Sequence, residues 1–323
     1  MFPQKWLKAA SQRLNGKINR TPLTHHAARG LYIKWENKQK TGSFKVRGAL
    51  NRALILEDWE REMGLVTASA GNHGQGVALA GQMIGAKVRV FVSEDAPAVK
   101  IEAMRNLGAK IELIKGGYHN AEEAGLAYAK RNDAVWISPY NDGHVIAGQG
   151  TIASEILEEV PETAEMTWIV PLSGGGLLSG IGAVLGTQAQ NTDAESSRST
   201  RVVGVQVESA AFMHALFYNG NQVGVQDLPT LADGLAGAVE EKSITIPLIK
   251  KYVDEVVLVS EDEVAQAIAF AWHEYGEKIE GAGAVGLAAV LSKKVAQEPS
   301  VIIVSGGNIQ PEVHAEILGR YEA

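Results

Sequence analysis

The sequence contains no cysteine. That removes disulfides, thiolate catalysis and cysteine-based zinc sites, and it suits a reducing cytoplasm, where this chain is expected to work. Long apolar runs are missing too. The most apolar stretch, Ala282 to Leu291, is far too short to span a bilayer. The start, Met1-Phe2-Pro3-Gln4-Lys5-Trp6, lacks the apolar core of a secretory signal. Positive charge is in deficit, with 30 Lys and Arg against 37 Asp and Glu. A net charge of −7 provides no basic face for nucleic acid. Neither a nucleic-acid nor a membrane partner is expected.

Glycine, by contrast, is plentiful, at 35 of 323 residues. Much of it clusters beside Ser, Asn and Lys, as in loops that bring the backbone close to a ligand. Between residues 63 and 137 short apolar runs alternate with helical patterns. Leu65–Ala68, Val88–Val92, Ile111–Ile114 and Ala134–Ile137 read as buried strands. Gly76–Ile84, Ala98–Leu107 and Asn120–Arg131 read as helices, with Gly85 and Gly108 as stops. A second such region has strands at Trp168–Leu172, Arg201–Val207 and Val301–Val304, with a helix from Leu177 to about Ala189. Asn191–Arg201 reads as a polar surface loop, and Ser260-Glu261-Asp262-Glu263 as a capping box opening a helix to about Lys278. This alternation predicts an α/β protein of two open twisted lobes, with ligand loops at the carboxyl ends of parallel strands.

Four segments carry the candidate chemistry. In Thr41-Gly42-Ser43-Phe44-Lys45-Val46-Arg47-Gly48-Ala49, the apolar positions Val46, Ala49, Leu50, Ala53 and Leu54 place Lys45 in the first turn of a helix. A cation there is electrostatically misplaced, and a positive helix end lowers the pKa of an amine that must be neutral to attack an aldehyde. Ser69-Ala70-Gly71-Asn72-His73 follows a strand and opens a helix, so free backbone N–H groups face any anion. His73 reads as a general base or as a buried structural histidine. Ser173-Gly174-Gly175-Gly176-Leu177 lets several amides converge on one phosphate, with the helix dipole adding attraction. Ser305-Gly306-Gly307-Asn308 ends an apolar strand with a hydroxyl suited to an uncharged ring nitrogen.

In this order the four segments resemble the fold-type II pyridoxal-phosphate (PLP) enzymes, specifically the threonine/serine dehydratases. The likeness runs from Arg20-Thr21-Pro22-Leu23 to Asn308 and includes Ile146-Ala147-Gly148-Gln149-Gly150-Thr151. It implies the tryptophan synthase beta-like fold: a discontinuous large cofactor-binding domain (1–62 plus 142–323), a small α/β domain (63–141) and the cofactor in the cleft between them. By the same resemblance Lys45 holds PLP as a Schiff base, beside Phe44. Ser173, Gly174, Gly175, Gly176 and Leu177 grip the phosphate, with Ser173 standing where the family usually has a fourth glycine. Asn72 meets the phenolic oxygen, Ser305 faces the pyridine nitrogen, and Gly234 and Glu280 border the ring. Ser69, Ala70, Gly71, Asn72 and His73 receive the substrate carboxylate.

Related serine racemases carry a serine where this chain has Ala70, so the resemblance points to elimination by Lys45 alone. The expected activity is dehydration and deamination of a hydroxy-amino acid such as L-threonine or L-serine to a 2-oxo acid and ammonia. A specialised catabolic dehydratase, a racemase and a threonine synthase stay open on the same scaffold. Metal-dependent relatives use an acid at the position of Glu208 and another six residues on, where His214 stands. A divalent or monovalent cation is therefore left uncommitted. A homodimer or higher homo-oligomer is expected. Outside the family, Gly174-x-Gly176-x-x-Ser179 followed by Glu208 approaches a dinucleotide fingerprint and leaves an NAD-binding oxidoreductase as the rival. A non-catalytic α/β binder would need the anion loops alone.

Overall fold

The computed structural model describes residues 2–191, 200–295 and 299–321. The polar loop expected between Asn191 and Arg201 falls, over 192–199, outside the described residues. In chain order the strands are β1 Leu23–His26, β2 Leu31–Trp35, β3 Leu65–Ala68, β4 Val88–Ser93 and β5 Lys110–Ile114. They continue with β6 Val135–Trp136, β7 Thr167–Pro171, β8 Arg201–Val207, β9 Glu255–Val259 and β10 Ser300–Val304. Two sheets result, in the orders β1-β2-β10-β7-β8-β9 and β5-β4-β3-β6. Every pairing is parallel except β1 with β2. The chain thus has the expected α/β architecture.

The central strands of the larger sheet are largely apolar because both faces are covered. β7 and β10 are buried at every residue. The helix Gly281–Leu291, apolar all round and almost wholly buried, packs against β7, β8, β9 and β10. In the smaller sheet, Leu65, Val88, Val90 and Val92 share a core with Val46, Ala49, Leu50 and Ala53 of the helix Lys45–Ala53. The lysine helix therefore seats its apolar face in the smaller sheet's core.

Its other side is anchored by buried charge. Arg47 is fully buried, and its Nε and Nη2 donate to Glu36 at 2.7 and 2.8 Å. Nη1 and Nη2 donate to Glu155 at 2.6 and 2.9 Å, and Nη1 also reaches Thr151 Oγ1 at 3.1 Å. Lys34, from β2, donates to Glu155 at 2.8 Å and to the Thr21 carbonyl at 2.8 Å. Two cations and two carboxylates with shared hydrogen bonds hold each other in place, which is how buried charge is tolerated. The helix behind Lys45 is thereby tied to β2 and to the helix Gly143–Glu159.

The helix expected to reach Lys278 stops at Tyr275. Gly276 turns left-handed at φ +65° and returns its N–H to Trp272 at 2.9 Å, ending the helix three residues early. Leu54 is half-buried and lies just past the end of the Lys45 helix. Three strands, β1, β2 and β9, and several helices, Gln4–Leu14 and Gly143–Glu159 among them, were not anticipated. Among the described residues no helix is long and apolar enough to cross a membrane.

Candidate active site

Lys45 is the first residue of its helix. The loop before it is stitched to the end of β10: the Phe44 N–H donates to the Ser305 carbonyl at 3.0 Å, and the Gly307 N–H to Gly42 at 2.9 Å. A bridge between Ser43 and Gly306 completes the join. Lysine and serine loops, some 260 residues apart in sequence, thus arrive together. Lys45 Nζ donates to the Pro139 carbonyl at 3.1 Å and sits 5.2 Å from the Phe44 ring centre. Part of the Lys45 surface stays open, but protein surrounds its ammonium. Burial lowers its pKa to about 8, against the opposing pull of the Glu280 carboxylate. The sequence pointed to the helix end as the cause; in the structure the lowering comes from burial.

The residue after Pro139 links the amine to the glycine loop. Behind β7, Gly174, Gly175 and Gly176 are buried, and a Cβ on Gly174 or Gly176 would come within 2.4 or 2.9 Å of Tyr140. Gly175 is left-handed at φ +86°, a conformation that favours glycine. Thr245 Oγ1 donates to the Gly174 carbonyl at 2.7 Å and fixes the loop's shape. Ser173 is half-buried, and Leu177 is buried in the first turn of the helix Gly176–Asn191.

The asparagine loop follows β3, with Gly71 capping the helix Asn72–Ile84. A Cβ on Gly76 would come within 3.1 Å of the Lys45 backbone, so this glycine sets how closely the two helices lie. Asn72 does not cap. Its Nδ2 donates to Glu280 Oε1 at 2.6 Å, while its Oδ1 accepts from Asn308 Nδ2 at 2.7 Å. Ser69 Oγ accepts from the Gly71 N–H at 3.1 Å, and Ala70 is half-buried against the smaller sheet's core. His73 is buried, with Nε2 at 2.9 Å from the Ile137 carbonyl. Burial and the Lys45 cation lower its pKa to about 3, so the ring is neutral and donates from Nε2. That is the structural alternative for His73, not the general base.

Glu280 is buried at the N-terminus of the helix Gly281–Leu291. Burial raises its pKa to about 7, although the Asn72 hydrogen bond works the other way. Ser305 Oγ donates to the Ala282 carbonyl at a long 3.3 Å. Gly234 lies beside Ala282, and the neighbouring Asp233 is paired with Lys100 from the helix Ala98–Asn106. That contact joins the smaller-sheet side to the larger.

The structure does not bring Glu208 into this group. Its carboxylate is half exposed at the end of β8, 3.6 Å from Lys294 Nζ. His214 donates its backbone N–H to Gln206, and among the described residues no group of three His, Asp or Glu side chains is placed to hold a metal. Asp142 caps the helix Gly143–Glu159 by accepting from the His144 and Val145 N–H groups, and the His144 ring stacks on Trp6. Pro139, Thr245, Lys100 and the side-chain role of Asn308 were missed. A carbonyl or a distant threonine leaves no sequence signal, whereas Asn308 stood inside a recognised motif.

The residues present fit PLP. They offer an amine whose pKa is lowered to about 8, a cradle of glycines where side chains would collide, and a hydroxyl at a strand end. The sequence profile of the pyridoxal-phosphate dependent enzymes matches residues 14–306. An L-threonine ammonia-lyase of Thermotoga maritima is 41% identical over 321 residues, covering 97% of this chain and 77% of the relative. Maize serine racemase superposes with a TM-score of 0.87 at 31% identity, covering 98% of this chain and 96% of that one. The processed form of threonine deaminase isoform 2 from Solanum lycopersicum also gives 0.87, at 30% identity, covering 99% and 93%. A racemase and a deaminase superpose equally well, so the shape of the chain alone does not choose between them.

Proposed function

The chain belongs to the pyridoxal-phosphate dependent enzymes, and on that premise we propose that it dehydrates and deaminates L-threonine or L-serine, giving a 2-oxo acid and ammonia. Bound PLP supplies an electron sink for the carbanion formed when the substrate's Cα loses its proton. Lys45 would hold the cofactor until the substrate's amine takes its place, and its freed amine would then take that proton, a role eased by a pKa lowered to about 8. The amides of Ser173 to Leu177 and the helix end behind them hold the phosphate. Asn72 would donate to the phenolic oxygen, and the Ser305 hydroxyl, held only by a 3.3 Å bond to Ala282, would serve the ring nitrogen. Phe44, Gly234 and Glu280 border the ring, and Ser69 to Asn72 take the substrate carboxylate. His73, buried and neutral, supports that loop from behind. The lobes 1–62 plus 142–323 and 63–141 enclose the cleft, and the working form is a homodimer or larger assembly in the cytoplasm.

The observation that carries elimination over inversion is Ala70. Inversion needs a proton carrier on each face of the substrate, and position 70 offers a methyl group. The 41% identical relative named L-threonine ammonia-lyase supports the same choice. The test is to incubate the holoenzyme with L-threonine and with L-serine, measuring 2-oxo acid, ammonia and the chirality of remaining substrate. Ammonia and 2-oxo acid in equal amounts are expected. Inversion outpacing ammonia release would overturn the reading.

A further inference from the structure

Asn72 sits in a relay of hydrogen bonds, and the relay has a direction. Asn308 Nδ2 donates to two acceptors, the Thr41 carbonyl at 2.8 Å and Asn72 Oδ1 at 2.7 Å. Asn72 Nδ2 in turn donates to Glu280 Oε1 at 2.6 Å. An asparagine amide has ends of nearly equal size, so packing alone does not decide which end is nitrogen. Here the decision is made at Thr41, because a backbone carbonyl can only accept. Asn308 must present its nitrogen, Asn72 must answer with its oxygen, and the Asn72 nitrogen is left with one hydrogen on Glu280 and one uncommitted. The seat is tight as well: a Cβ on Gly42, which is left-handed at φ +71°, would lie 2.5 Å from Asn308 Oδ1.

We infer that Asn308 is a positioning residue of the active site, fixing the Asn72 amide as a hydrogen-bond donor toward the cofactor's phenolic oxygen. It acts through Asn72 and joins three loops at once: the segment before Lys45, the asparagine loop and the end of β10. The inference rests on the proposed contact between Asn72 and the cofactor. With the amide reversed, an oxygen would face the phenolic oxygen and repel its charged form. With the amide held, the N–H favours that form and lowers the pH at which it appears.

The visible absorption of the holoenzyme reports the ionic state of that oxygen and can be titrated without any substrate. Asn72→Ala and Asn308→Ala are each expected to move the spectral midpoint upward by about one pH unit, at unchanged cofactor content. The double variant is expected to move no further than either single one, because both remove the same donor. Activity falls about ten- to a hundred-fold in kcat, with KM less affected. A midpoint for Asn308→Ala equal to that of the unaltered enzyme, with Asn72→Ala shifted, would overturn this inference and leave the Asn72 contact standing. An unshifted Asn72→Ala overturns both. If Asn308→Ala does not give folded holoenzyme, Asn308→Ser, whose hydroxyl is too short to span both acceptors, is read in the same way.

Discussion

Replacing Glu280 by glutamine in the cofactor-free protein is expected to abolish a distinct part of the pH dependence of stability. The Glu280 carboxyl is buried, and burial raises its pKa from 4.5 to about 7. Between those values the folded chain holds a proton that the unfolded chain has released, so stability falls as pH rises. The loss is ~1.4 kcal/mol per pH unit and totals ~3 kcal/mol across the window, flattening above pH about 7. Glutamine keeps an oxygen for the Asn72 N–H and has no proton to lose. Urea melts of both proteins from pH 5 to pH 8 yield the difference in unfolding free energy. The variant is expected to gain on the unaltered protein steadily up to pH about 7 and then to keep a constant lead. A difference flat to within ~1 kcal/mol throughout would refute the argument, and with it the claim that Glu280 is buried without a full complement of charge.

The charged cluster behind Lys45 gives a second expectation. Arg47→Met strands the Glu36 carboxylate in the interior, leaves Glu155 with Lys34 alone, and is expected to cost ~3–5 kcal/mol in urea unfolding, far more than loss of a surface pair. For Lys45, covalent uptake of PLP by the apoprotein is expected to accelerate with pH, with a midpoint near the amine's pKa of about 8. A stopped-flow pH series placing the midpoint near 10.5, the value of an unburied lysine, would contradict it.

Much of the sheet framework was legible because parallel buried strands are mostly apolar runs. Leu65–Ala68 and Arg201–Val207 occupy the residues their pattern predicts. β2 was hidden by Lys34, which reads as a surface residue but is fully buried against Glu155. The helix Gly143–Glu159 was hidden by its glycines, which look like breakers. They serve close packing: a Cβ on Gly148 would meet the Arg47 carbonyl at 2.6 Å, and one on Gly150 the Gly180 carbonyl at 2.8 Å. At the site, Lys45, the glycine loop and the asparagine loop announce themselves because each is a compact motif. Thr245 and Pro139 act across 71 and 94 residues through a single bond each, and such a bond leaves no local pattern to read.

The position of β10 has a consequence for how the protein is made. In the larger sheet this strand lies between β2 and β7, although it follows all nine other described strands in the chain. Until Val304 has been synthesised, β2 and β7 have no partner joining them, and each exposes an edge to solvent and to neighbouring chains. The smaller sheet, contiguous in the chain from β3 to β6, has all its strands much earlier. The segment that completes the larger sheet also carries Ser305 and Asn308, so the cofactor contacts proposed for this loop would come with the closing of the sheet.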